Sequence, residues 1–251
     1  MTAVTRPAAR FQDLVAPAPA ITITLLFLGV ALLENTVAPW APFYFIYIWL
    51  TTCLPMGVGG LPFVHVKKLK TGPWITLVAL AIGLQLFSVA WSGALYPKLL
   101  QASGVAPELT SSPAYDTSAA LQAMLSTAAT HWKTSLGKIQ FWYLAVIFLW
   151  AGFGEEIFFR GYLYRSLRGR WGVAAAAAVS SLLFGFRHAT QLGLLAPDYP
   201  WGAAIAWSLF ATVAGLGFCW LFEKTGSLTA PILAHYLLNL VPLVALASGS
   251  R

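Results

Sequence analysis

Seven side chains in the second half of this sequence have the types and spacing to do chemistry: Glu155, Glu156, Arg160, Phe184, His188, His235 and Asn239. Carboxylates and imidazoles are the usual groups of general acid and base catalysis. An asparagine amide or an imidazole N–H can donate to negative charge developing on an oxygen. Glu156 and Arg160 are four residues apart, so they share a helix face at a spacing suited to an ion pair. Glu155 points about 100° away from that face and is left without that partner, which makes it the candidate catalytic carboxylate. Phe184 with His188, and His235 with Asn239, repeat the four-residue spacing. A second arrangement uses the same groups, because Glu155, His188 and His235 would make a two-His, one-carboxylate zinc set with an open water position. No HExxH sequence accompanies it. Each pair alone reads as a structural strut or a hydrogen-bonded core histidine. Their joint occurrence in a chain with so few charges is what points to a site.

The elements that position these groups follow from composition. The chain has 251 residues, 59% of them hydrophobic and 9% charged, against roughly 25% charged in an ordinary soluble domain. Apolar runs fall near 20–35, 39–59, 73–96, 139–160, 172–190, 202–222 and 229–247. Each is long enough, or nearly so, for the roughly 20 residues that a membrane-spanning helix requires. A lipid-exposed segment must satisfy its own backbone hydrogen bonds, so the expected fold is all-α, a polytopic transmembrane helical bundle. The net charge of +7 would suggest nucleic acid in a soluble chain. Here Arg6, Arg10, Lys67, Lys68, Lys70, Arg165, Arg168, Arg170 and Lys224 flank apolar runs, as the positive-inside rule expects. No nucleic-acid partner is therefore expected. The partners expected are the lipid bilayer and a membrane-associated substrate, and the oligomeric state is not legible.

Seven crossings place the N-terminus in the cytoplasm and residues 97–138 outside, in a multi-pass protein of the cell membrane. The expected organisation is a cytoplasmic tail over 1–18, N-terminal transmembrane helices over 19–96, an extramembrane loop over 97–138 with an interfacial helix near 117–132, and a transmembrane core over 139–247. The first apolar run lacks a small-residue cleavage site and reads as a retained helix, not a leader. Cys53 and Cys219 lie in apolar runs without CxxC spacing, so neither a disulfide framework nor a zinc finger is expected. His65 and His131 fall in polar stretches and read as solvated surface residues. Straight helices place the chemical groups at different depths. At about 1.5 Å per residue, Glu155 lies about 15 Å from Arg165, His188 about 25 Å from Trp171 and His235 about 15 Å from Lys224. Tilted or broken helices, and a polar cavity open to water, would bring them together.

Glu155-Glu156-x-x-x-Arg160, Phe184-x-x-x-His188 and His235-x-x-x-Asn239, in that order on successive hydrophobic segments, resemble the three motifs of the CAAX protease and bacteriocin-processing family, also called the Abi or type II CAAX prenyl endopeptidase family. The resemblance covers about residues 139–247. It implies an all-helical, glutamic-type intramembrane endopeptidase, often of eight transmembrane helices rather than seven. It also implies that Glu155 and His188 hold and activate a water and that His235 and Asn239 form an oxyanion hole. Glu156, Arg160 and Phe184 would support them, with no cofactor required. Arg187 departs from the pattern, since an apolar residue is expected beside the motif histidine; it is placed to meet substrate or a carboxylate. The non-enzymatic alternative is an immunity, scaffold or transport protein whose intramembrane charges pair structurally. The sequence contains no matching halves with Gly- or Pro-broken helices, the mark of an inverted-repeat transporter.

Overall fold

The structure is a computed structural model that describes residue 25, residues 69–110, 112, 115, 125–127, 129–146, 152–195 and 201–248, excepting the side chains of 142–146, 190–195, 201 and 241–248. The expected cytoplasmic tail and nearly all of the first two apolar runs lie outside the described residues, as does most of the expected interfacial helix. Described residues are helical or in turns, with no strand among them. The helices are α1 (Thr71–Ala90), α2 (Tyr96–Ala102), α3 (Leu136–Val146), α4 (Gly154–Glu156), α5 (Arg165–Leu195), α6 (Trp201–Thr225) and α7 (Thr229–Ser248). Two π-helical segments, Trp91–Leu95 and Ile157–Tyr164, join α1 to α2 and α4 to α5. Among the described residues, three helical stretches are long and apolar enough to cross a membrane: Thr71–Ala102, Gly154–Ala189 and Gly202–Thr225.

The outside of this bundle is apolar. Ile75, Val78, Ile82, Leu86 and Val89 on α1 are exposed, as are Ile205, Leu209, Val213, Leu216 and Trp220 on α6. Their three- and four-residue spacing gives each helix one continuous oily face. The buried face of α6 combines small residues, Ala203, Ala204, Ala206, Ala211 and Ala214, with the larger Phe210, Phe218, Leu221 and Phe222. Small interfaces with large apolar exteriors are how helices pack when lipid is the solvent. Close approach is sharpest where α5 crosses α6. A Cβ on Gly185 would collide with Thr212 Oγ1 and come within 2.5 Å of the Ser208 carbonyl oxygen. Gly185→Ala is therefore expected to lower stability by roughly 1–3 kcal/mol, read as an earlier thermal unfolding in detergent. Gly83→Ala, where nothing lies within 4 Å, should be neutral or slightly stabilising.

The stretch Gly154–Ala189 has 36 residues, which as one straight helix would be about 54 Å long, nearly twice the ~30 Å hydrocarbon core. It is not straight. Gly172 has φ 78° and ψ 173°, a left-handed backbone conformation that glycine adopts at least cost. The chain folds back there into an antiparallel pair. Ser180 Oγ donates to the Phe159 carbonyl at 2.8 Å across the pair, and the Phe159 and Phe184 rings meet edge to face at 5.1 Å. The basic residues Arg165, Arg168 and Arg170 sit at this bend, and Arg168 pairs with Glu223 of α6 at 2.7 Å.

Candidate active site

The bend resolves the disparity in depth. Glu155 precedes Gly172 by 17 residues and His188 follows it by 16, so both lie about 25 Å from the fold-back at 1.5 Å per residue. Counting Glu155 from Arg165, as the charge pattern suggests, starts too early by about two turns. The third element joins by a second offset. The turn between α6 and α7, where Gly226 has φ 60°, leads into Leu228, which packs directly on Gly161. Since α7 runs antiparallel to the segment bearing Gly161, seven residues beyond Leu228 bring His235 level with residue 154. Three segments thus deliver Glu155, Glu156, His188 and His235 to one height.

Glu156 and Arg160 form the expected pair: Arg160 Nη1 donates to Glu156 Oε1 at 2.9 Å, and both side chains are fully buried. The guanidinium is enclosed by aromatic faces, with its central carbon 4.5 Å from the Phe184 centroid and 5.1 Å from that of Phe218. Such cation–π contacts offset part of the cost of desolvating the charge. Gly215 makes the space, since a Cβ there would lie 2.9 Å from Arg160 Nη2. The same Glu156 oxygen accepts from His235 Nδ1 at 2.9 Å. Glu156 is therefore the hub that orients His235 as well as the partner of Arg160.

Glu155 is buried at 4% exposure and has a guanidinium and an imidazole as neighbours from two other segments. Arg187 Nε lies 4.0 Å from its Oε1 and His235 Nε2 lies 3.8 Å from its Oε2. Helical spacing turns Glu155 away from Arg160 on its own segment but says nothing about neighbouring helices, and these supply its contacts. Both distances exceed the 2.7–2.9 Å of a formed charge-assisted hydrogen bond. The carboxylate is accompanied by these two groups without being clamped by them. Arg187, the departure from the motif pattern, meets a carboxylate.

His188 is half-buried, and its Nδ1 lies 2.8 Å from the Phe184 carbonyl oxygen. A carbonyl can only accept, so Nδ1 carries the proton and the Nε2 lone pair of the neutral ring is left for another partner. The ring is within electrostatic range of Glu155, Arg187 and His235. Phe184, 2% exposed, touches His188 at 4.6 Å and His235 at 5.8 Å between ring centroids. Phe218 stacks on the other side of His235 at 4.9 Å. Asn239 is half-buried one turn beyond His235, and no hydrogen bond joins its side chain to another described residue. Sequence reasoning missed Phe218, one aromatic in an apolar run without any distinguishing signal. Among the described residues, no group of three or more His, Cys, Asp or Glu side chains is placed to hold a metal ion.

The fold and this cluster define an all-helical protein with a lipid-facing exterior and a buried Glu–His–Arg centre. Residues 137–241 match the family described as Rce1-like, type II CAAX prenyl endopeptidase Rce1-like. The match lies in the C-terminal part of the chain, and every residue from Glu155 to Asn239 discussed above falls within it. No curated protein and no solved structure matches the chain.

Proposed function

We propose that this protein is a glutamic-type intramembrane endopeptidase that hydrolyses a peptide bond near the C-terminus or membrane anchor of a protein substrate. The observation that carries the reading is the convergence of Glu155 and His188 beside His235 at the level set by the Gly172 bend, inside the Rce1-like segment. Glu155 accepts a proton from a water oriented by the Nε2 lone pair of His188. The resulting hydroxide adds to the scissile carbonyl carbon, and the carbonyl π electrons move to oxygen. Asn239 donates to that oxyanion from its amide. His235, whose Nδ1–H is held by Glu156, can donate from Nε2 only as the doubly protonated ring, with Glu156 as its counter-charge once Glu155 has taken the water proton. The tetrahedral intermediate then collapses, the C–N bond breaks, and the proton that Glu155 took from the water passes, directly or by way of His188 Nε2, to the leaving amine.

The placement proposed is a multi-pass protein of the cell membrane with its N-terminus in the cytoplasm and seven or eight spans. The chemistry proposed needs no metal. The test uses purified full-length protein in detergent against a mixed set of membrane-embedded and lipidated C-terminal peptides, with new termini read by mass spectrometry with and without chelator. Cleavage that survives the chelator is expected. Loss of cleavage on chelation would replace the water-activating roles with a zinc site, and absence of cleavage from every peptide would favour an immunity or scaffold role.

A further inference from the structure

The oxyanion side of the site is carried by α7, and α7 contains Pro242. Proline has no N–H, so the helical bond that residue 242 would donate to the Leu238 carbonyl cannot form. In a membrane there is no water to satisfy a carbonyl freed in this way, and a neighbouring group must do so. Gln85 supplies it. Its Nε2 lies 2.6 Å from the Leu237 carbonyl oxygen and 3.3 Å from that of Leu238. Gln85 sits on α1, outside the matched segment, in a helix whose neighbouring faces are apolar, and this double donation accounts for an otherwise expensive polar residue there. The two accepting carbonyls immediately precede Asn239. Around them Leu77 and Leu84 of α1 share a buried cluster with Ala230, Ala234 and Leu238 of α7, so the contact lies within a packed interface.

We propose that Gln85 is a positioning residue for Asn239: it ties down the turn of α7 that Pro242 loosens and so holds the amide donor where negative charge develops. The inference rests on the oxyanion role given to Asn239 above and extends the working unit to α1. Gln85 touches no reacting atom.

Four full-length proteins decide it: wild type, Gln85→Leu, Pro242→Ala and the double variant, compared by kcat, KM and amide hydrogen exchange of residues 239–243. Gln85→Leu is expected to lower kcat roughly ten-fold, the size of one well-made hydrogen bond, with KM unchanged and exchange in that turn faster. Pro242→Ala restores the helical donor to Leu238, so in that background the Gln85→Leu effects on kcat and exchange should disappear. An equal loss in both backgrounds, or a fall in melting temperature without change in kcat or exchange, would overturn the proposal. Full activity in Asn239→Ala would sink the oxyanion reading on which it depends, while the exchange data still report separately whether Gln85 holds the helix.

Discussion

Glu155→Gln is expected to abolish peptide cleavage, with kcat falling by at least about 10²- to 10⁴-fold, the usual contribution of a general base, while the protein still inserts and folds. Glutamine has the same shape and keeps an oxygen that can accept from a neighbour, so packing against Arg187 and His235 is preserved. What is lost is the ability to take a proton from water. The geometry sets the accompanying stability change. Glu155 stands 4.0 Å from Arg187 Nε and 3.8 Å from His235 Nε2, so removing its charge breaks no short ion pair with either. Glu156 sits 2.9 Å from both of its own. The larger loss of melting temperature therefore belongs to Glu156→Gln and the larger loss of kcat to Glu155→Gln. Wild-type turnover by Glu155→Gln would remove Glu155 from the mechanism, and His188 with a directly bound water would have to be reconsidered as the base.

The candidate site was legible in the sequence to the extent that its parts are local. Spacing on one helix predicts the Glu156–Arg160 pair and the stacking of His188 on Phe184, because the helical repeat fixes both without knowledge of the rest of the chain. The apolar runs likewise predict an all-helical, lipid-facing molecule. Depth was not legible, because it is set by where helices bend. A glycine among arginines marks a turn, but its position at 172 rather than near 165 is decided by a positive φ that leaves no trace in hydropathy. Contacts between elements were legible least of all. Arg187 stood out as a charge in the wrong place, yet nothing in sequence says that it faces Glu155. Gln85 and Pro242 are 157 residues apart, and only the packing of α1 on α7 makes a missing N–H in one the reason for an amide in the other.

The buried charges allow stability to be separated from chemistry. Arg160→Met should destabilise strongly, by about 3–5 kcal/mol, as expected when one partner of a buried ion pair is removed and the other charge is left uncompensated. Glu156→Gln alone leaves Arg160 in the same position, with aromatic faces as its remaining support. Replacing both, as Glu156→Gln with Arg160→Met, removes the stranded charge, and such paired replacements are often neutral or stabilising. The double variant should therefore recover most of the melting temperature lost by either single variant in detergent. Its kcat should stay low. The glutamine oxygen can still accept from His235 Nδ1, so the ring keeps its orientation. It loses the anion that balances a doubly protonated imidazole, and with it the Nε2 donor offered to the oxyanion. Stability and turnover recovering together would mean that Glu156 acts only as a strut for Arg160. Recovery of stability with kcat still depressed would place the second glutamate in the chemistry through His235, with which Arg160 shares the same Glu156 oxygen at 2.9 Å.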